Sequence, residues 1–265
     1  MHLVSHAFWP LVGSLVCLGS VVNAAGVVEI DVVFPRSNET YAPMDNFPIV
    51  FAVQNPQLAK HLDISVDLLL RNGSNLDNGL GPRGQQLTYA NASTEPYFAN
   101  SYHDIDTDGP YELFARLIWS SCDESGEQMA YRVESRNVGI PFTIKKGGQE
   151  ADLVAATAND QTCSAKDGVA INVTDEVHEV PASNDQPAGT CAVLASGSPS
   201  PTPNPCRVKI DTTVAASMSA SLAAALCKGP RPPASCPKEN AVQQLAVAGV
   251  ASLAALSGAV GFLLA

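Results

Sequence analysis

The chain has 265 residues, a formal net charge of −11 and only 15 Lys and Arg. That balance excludes nucleic acid as a partner, because phosphate contacts need clustered cations. No basic run points to an anionic membrane surface either.

Residues 1–24 read as a signal peptide. An apolar stretch, Ala7-Phe8-Trp9-Pro10-Leu11-Val12 and Leu15-Val16-Cys17-Leu18, closes on Val22-Asn23-Ala24-Ala25. A small residue at −1 and a small or aliphatic one at −3 suit signal peptidase, which places the cut after Ala24 or Ala25. At the other end, residues 245–265 carry no charge, and such a stretch is long enough as a helix to cross a bilayer core. Lys and Arg usually flank a permanent anchor on the cytoplasmic side. Their absence fits a glycosylphosphatidylinositol (GPI) signal: small residues at the attachment site, a spacer and a removable apolar tail. Asn240 is the preferred attachment residue, with Ser235 as the alternative. A single-pass tail is the competing reading.

Between these ends, residues 25–228 read as one ectodomain and 229–244 as a Pro-rich stalk carrying the anchor site. Val28, Ile30, Val32 and Phe34 alternate with Glu29, Asp31 and Val33. The same period of two recurs at Ile64–Leu70 and Tyr111–Trp119, and it marks half-buried or fully buried strands. Further strands are expected at 48–53, 86–89, 130–138, 140–144, 152–156, 169–173, 190–194 and 207–210. Turn residues such as Arg71-Asn72-Gly73-Ser74 separate them. Many short strands with polar turns predict a mainly β protein, an Ig-like or jelly-roll-type β-sandwich. One Ala-rich helix is expected at 213–226, capped by Asp211 or Thr212, with Val214, Met218, Leu222 and Leu226 on one stripe. It should cover an edge or end of the sandwich. The signal and tail segments would add one apolar helix each.

Cys17 leaves with the signal peptide, and six cysteines remain: Cys122, Cys163, Cys191, Cys206, Cys227 and Cys236. An even number in a secreted chain implies three disulfides, with fifteen connectivities open. Proximity favours Cys227–Cys236, with Cys191–Cys206 and Cys122–Cys163 as guesses for the rest. No Cys-x-x-Cys pair supports zinc. Sequons at Asn38, Asn72, Asn91 and Asn172 are candidate glycan sites.

The search for chemistry returns little. Gly-x-Ser-x-Gly and His-Glu-x-x-His are absent. The glycines around Pro82 lack the strand-to-helix context of a phosphate loop. His61, His103 and His178 read as surface residues. Glu176, His178 and Glu179 read as a solvated turn or edge. Asp104, Asp106 and Asp108 before Gly109 match the start of a calcium loop, but Ala115 stands where the bidentate Glu belongs. A polar hairpin turn is the better reading, with weak Ca²⁺ binding as the alternative. Trp119 shares strand phase with Leu113 and Leu117 and reads as core. Tyr97, Phe98 and Tyr102 form a loop cluster, the best candidate for a ligand face. No catalytic residue and no cofactor is indicated.

Several segments together resemble a family of fungal secreted proteins, the domain of unknown function 7136. They are Val33-Phe34-Pro35-Arg36, Tyr41-Ala42-Pro43, Phe47-Pro48-Ile49-Val50-Phe51-Ala52-Val53-Gln54-Asn55-Pro56, Pro96-Tyr97-Phe98-Ala99, Leu117-Ile118-Trp119-Ser120-Ser121-Cys122, Asp152-Leu153-Val154-Ala155-Ala156-Thr157 and Asn204-Pro205-Cys206-Arg207-Val208-Lys209-Ile210-Asp211. The resemblance spans about residues 26–228 and implies an extracellular, often anchored, β-rich domain without an established reaction. The expectation is therefore a non-enzymatic cell-surface or cell-wall glycoprotein, held to the membrane by a GPI anchor and in reach of wall glycans. The alternatives are a glycan- or wall-polymer-binding module and a carboxylate-dependent hydrolase.

Overall fold

A computed structural model describes residues 24–236, apart from 74, 87–93, 159–162, 185, 196–199, 230–232 and 235, with side chains left out at 24–25 and 75–86. The expected signal peptide up to residue 23, the tail at 245–265, Asn91, Ser235 and Asn240 lie outside the described residues. No helix among the described residues is long and apolar enough to cross a membrane.

The protein is mainly β and sandwich-like. The described residues form the strands β1 (Ala24–Phe34), β2 (Thr40–Tyr41), β3 (Met44–Gln54), β4 (Ser65–Asn72), β5 (Asn75–Gln86), β6 (Tyr97–Ile105), β7 (Gly109–Asp123), β8 (Ala130–Ile144), β9 (Gly168–Val180) and β10 (Gly189–Leu194). Sheet A has the order β10-β9-β1-β3-β6, and sheet B the order β2-β8-β7-β4-β5. Pairing is antiparallel except for β2 on β8.

Register fixes which residues share a face. Ile30 pairs with Val53 and Val32 with Phe51, so these side chains project together into the space between the sheets. From sheet B, Val66 pairs with Leu117, Leu68 with Ala115 and Leu70 with Leu113. All eight of the sheet B and β1 residues just named, and their β3 partners, are buried. An aromatic group spans the layer: Phe47 of β3 stacks on Phe142 of β8 at 5.5 Å and tilts against Phe34 at 5.4 Å. Trp119 is buried here as expected, and its indole N–H donates to Glu134 Oε2 at 2.9 Å.

The opposite face of sheet A is covered as well. Val33, Val50 and Ala52 on that face have no exposure. Over it run α1 (Leu153–Ala158), a strap at 204–210 and α2 (Thr212–Lys228). The Asp211 carboxylate accepts from Val214 N–H and caps α2, as its sequence predicts. Tyr102 of edge strand β6 donates to the Met218 carbonyl, seating α2 at that edge.

Several expectations need correction. Where a strand is expected at 152–156, residues Leu153–Ala158 form α1, because Asp152 Oδ1 accepts from Val154 and Ala155 N–H and starts a helical turn. Residues 207–210 pair with no strand; Pro205 opens a 3-10 turn there, and the chain runs on as the strap. Residues 130–144 form one strand rather than two. The segment at 106–108 is no hairpin, because β6 lies in sheet A and β7 in sheet B, so it is a corner between the sheets. Glycine-rich residues 75–86 form β5, whose composition hides a strand.

Two disulfide guesses are overturned. Cys122 bonds Cys191 and Cys163 bonds Cys206, while Cys227–Cys236 is as expected. Proximity along the chain misleads here because partners are set by the sandwich. Cys122 lies near the end of β7 in sheet B and Cys191 lies in β10 of sheet A, so this bond ties the two sheets. Cys163, just before β9, pins the strap at Cys206. Cys227–Cys236 folds the start of the expected stalk back onto α2.

Candidate functional site

Glu29 and Asp31 alternate with Val28, Ile30 and Val32, and by period alone they face solvent. Neither does: Glu29 is 4% exposed and Asp31 is fully buried. They lie on the covered face of sheet A, beneath the strap. The backbone N–H of Asn204 donates to Glu29 Oε1, and the Arg207 guanidinium stands 3.6 Å from Glu29 Oε2. Arg207 Nε donates to Gln54 Oε1 at 2.7 Å, and Gln54 Nε2 donates onward to Asp31 Oδ2 at 2.8 Å. One amide therefore bridges the strap's cation to the buried acid. Asp31 Oδ1 has no hydrogen-bond partner and lies against Gly168 of β9, where any Cβ would overlap it.

Burial disfavours a carboxylate, and the neighbouring Glu29 carboxylate adds repulsion. Together they push Asp31 up to about 8, against the opposing pull of the Gln54 hydrogen bond and Arg207. Beside this group opens a cleft of about 310 Å³ lined by Gln54, Asn55, Glu95, Arg207 and Lys209 among others. Glu95 Oε2 accepts from Asn55 N–H at 2.7 Å across it. These are donors and acceptors suited to polar, hydroxyl-rich or charged ligands.

The sequence does hold a signal for this buried pair. Residues Pro48-Ile49-Val50-Phe51-Ala52-Val53 of β3 are apolar without alternation, which marks a strand covered on both faces. Its neighbour β1 must then bury Glu29 and Asp31 too.

A second polar cluster lies near the inter-sheet disulfide. His178 Nε2 stands 2.9 Å from Glu176 Oε1 and 3.3 Å from Glu124 Oε1. Glu176 and His178 are two apart on β9, so they share a face, and Glu124 reaches them from the end of β7. Glu179, expected with them, points the other way along the strand. The three ligand atoms lie within 4.8 Å of one another, close enough to hold a divalent cation, yet both glutamates are exposed, and exposed acidic groups commonly gather without an ion.

The expected calcium loop does not assemble. Asp104 Oδ1 accepts from Asn46 N–H, Asp106 Oδ1 from Thr107 Oγ1, and both Asp108 oxygens from Lys146 N–H. Each carboxylate serves a different stretch of backbone or side chain, and among the described residues they do not converge. The expected loop cluster of aromatics is also split. Tyr97, Phe98 and Tyr102 belong to strand β6. Tyr97 is buried, pairing with Val53 on the inter-sheet side. Phe98 and Tyr102 are half-buried on the strap side, where Tyr102 is bonded to α2.

Of the other histidines, His61 Nδ1 lies 2.7 Å from Thr190 Oγ1 and His103 Nε2 lies 3.2 Å from Ser101 Oγ. Burial, then the Lys60 charge, lowers the His61 pKa. Among the sequons, Asn38 is exposed in a turn at φ 64°. Asn72 closes the β4–β5 hairpin, with its amide on Tyr111 OH at 3.1 Å. Asn172 is half-buried on β9.

Fold and bonding together define a disulfide-bonded, sandwich-like β domain whose second face is closed by a polar-cored strap. Three disulfides suit an oxidising compartment. The domain of unknown function DUF7136 matches residues 23–236, and the chain belongs to that family. No curated protein matches it. Among solved structures, the PmoD soluble domain from Methylocystis sp. is 12% identical over 45% of this chain and 90% of its own, with a TM-score of 0.22, too slight a likeness to carry an argument.

Proposed function

We propose that this is a non-enzymatic fungal cell-surface or cell-wall glycoprotein, exported by residues 1–24 and held on the membrane through a GPI anchor at Asn240 or Ser235. The observation that supports it most is the set of three long-range and local disulfides, one of which joins the two sheets. Such bonds form and persist in oxidising, extracytoplasmic surroundings. The uncharged tail at 245–265 and the exposed Asn38 sequon agree with display outside the cell. The Glu29–Asp31 pair favours structure over hydrolysis, since a catalytic carboxylate must reach its substrate and Asp31 has no exposed surface.

The test is release from intact cells by a phospholipase that cleaves phosphatidylinositol. The expected result is soluble protein ending at Asn240 or Ser235. Protein that stays in the bilayer with residues 245–265 attached contradicts the anchor.

A second reading is a binding module for wall polymers, favoured by the polar lining of the cleft beside Gln54 and Arg207. Pull-down on chitin and β-glucan checks it. Arg207→Ala should weaken any retention, and equal retention by the variant argues against the cleft.

A further inference from the structure

We propose that Asp31 keeps its proton beside the Glu29 carboxylate and that this proton acts as a latch, holding the 204–210 strap down on sheet A in acid and releasing it as pH rises.

The latch follows first from donor counting. Ionised carboxylates only accept hydrogen bonds. Asp31 Oδ1 is buried without a donor, and the nearest polar side chain on its own strand face is Glu29, another acceptor. Two acceptors are stable near each other in a dry site only when one of them carries a proton. Charge gives the same answer. With one proton the pair carries one negative charge, opposite the one guanidinium of Arg207. With none it carries two, and one cation no longer balances them.

The groups that face the pair come from every covering element. β3 supplies the neutral Gln54, whose amide is already committed at both ends. β9 supplies Gly168, which has no side chain to offer. The turn before it supplies Asp167, which interacts with Arg36 and Ser164. The strap supplies Arg207 and the Asn204 N–H. At the cleft's outer wall, Lys209 and Glu95 bring opposite charges. Of these groups Arg207 is the cation in contact with the pair, so repulsion on loss of the proton acts on the strap's own contacts.

The covalent frame sets how the strap moves. Cys206 is bonded to Cys163, so the strap stays tethered beside β9 while Arg207, Val208 and Lys209 swing. Those three residues form one side of the cleft. Release therefore widens the cleft, and acid closes it. This goes beyond the surface-glycoprotein reading and does not depend on it.

Hydrogen exchange of the disulfide-intact protein tests the latch. Peptides covering 204–210 are followed from pH 5 to pH 8, with rates corrected for intrinsic chemistry. One proton lost on opening makes the opening constant rise about tenfold per pH unit. Asp31→Asn carries the neutral form permanently, so its strap exchange should be flat over the same range. Wild-type strap exchange that does not vary with pH, or Asp31→Asn exchange with the wild-type slope, overturns the proposal. If that variant fails to fold, infrared spectroscopy of the wild type decides. A protonated-carboxyl carbonyl band that persists to pH 7 and titrates away near 8 supports the latch, and its absence at pH 6 overturns it.

Discussion

On one side of β1 and β3 stand Val28, Ile30, Val32, Phe51 and Val53. On the other stand Glu29, Asp31, Val33, Val50 and Gln54. Both sets are buried, yet different physics holds them. The first side meets sheet B with apolar and aromatic side chains, so its stability comes from area removed from water and from close packing. The second meets a strap and two helices across a polar chain of Arg207, Gln54, Asp31 and Glu29. Its contacts are directional, and their strength depends on where one proton sits. A sheet covered on both faces can thus keep one face insensitive to solution conditions and make the other responsive.

That contrast yields graded expectations. The largest concerns pH. Asp31 is raised from 3.8 to about 8 on folding, so the folded state binds its proton more tightly than the unfolded chain. The associated stability is present in full below about pH 4 and is lost as pH rises to about 8, by up to about 1.4 kcal/mol per pH unit. Urea midpoints across that range should fall accordingly, and a flat profile would remove the contrast.

Phe47→Ala, in the inter-sheet aromatic group, should cost about 3–5 kcal/mol at every pH. A cost that itself changed with pH would show that the two faces are not independent. Gly168→Ala should cost about 1–3 kcal/mol, since a Cβ would meet Asp31 Oδ1, and its cost should be largest where Asp31 is charged. Thermal melts at pH 5 and pH 8 separate the two cases. The smallest effect is expected at the exposed Arg132–Asp123 pair, 2.8 Å apart. Asp123 is held down to about 2, chiefly by Ser125 and then by Arg132, but solvent screens the pair. Arg132→Ala should leave the melting temperature unchanged within error.

The sandwich itself was legible because its strands alternate, and α2 because Asp211 caps a striped apolar run. What stayed hidden depended on neighbours. Glu29 and Asp31 look solvated in β1 alone, and only the unbroken apolar run of β3 next to them shows that the sheet is covered twice. Asp152 begins a helix through its side chain, which outweighs the β-compatible Leu153 and Val154. Tyr97, Phe98 and Tyr102 read as a loop cluster because Asn100 and Ser101 interrupt the apolar pattern, yet β6 is an edge strand, where such residues are tolerated. Disulfide partners were out of reach because Cys122 and Cys191 are 69 residues apart and meet only once both sheets have formed.

Mapping the disulfides of the native protein under non-reducing conditions tests the account most directly. The structure predicts linked peptides Cys122–Cys191, Cys163–Cys206 and Cys227–Cys236, with no free thiol among the six. Recovery of Cys122–Cys163 or Cys191–Cys206, or of reduced cysteines in the native material, would contradict both the tie between the sheets and the oxidising setting proposed for this domain.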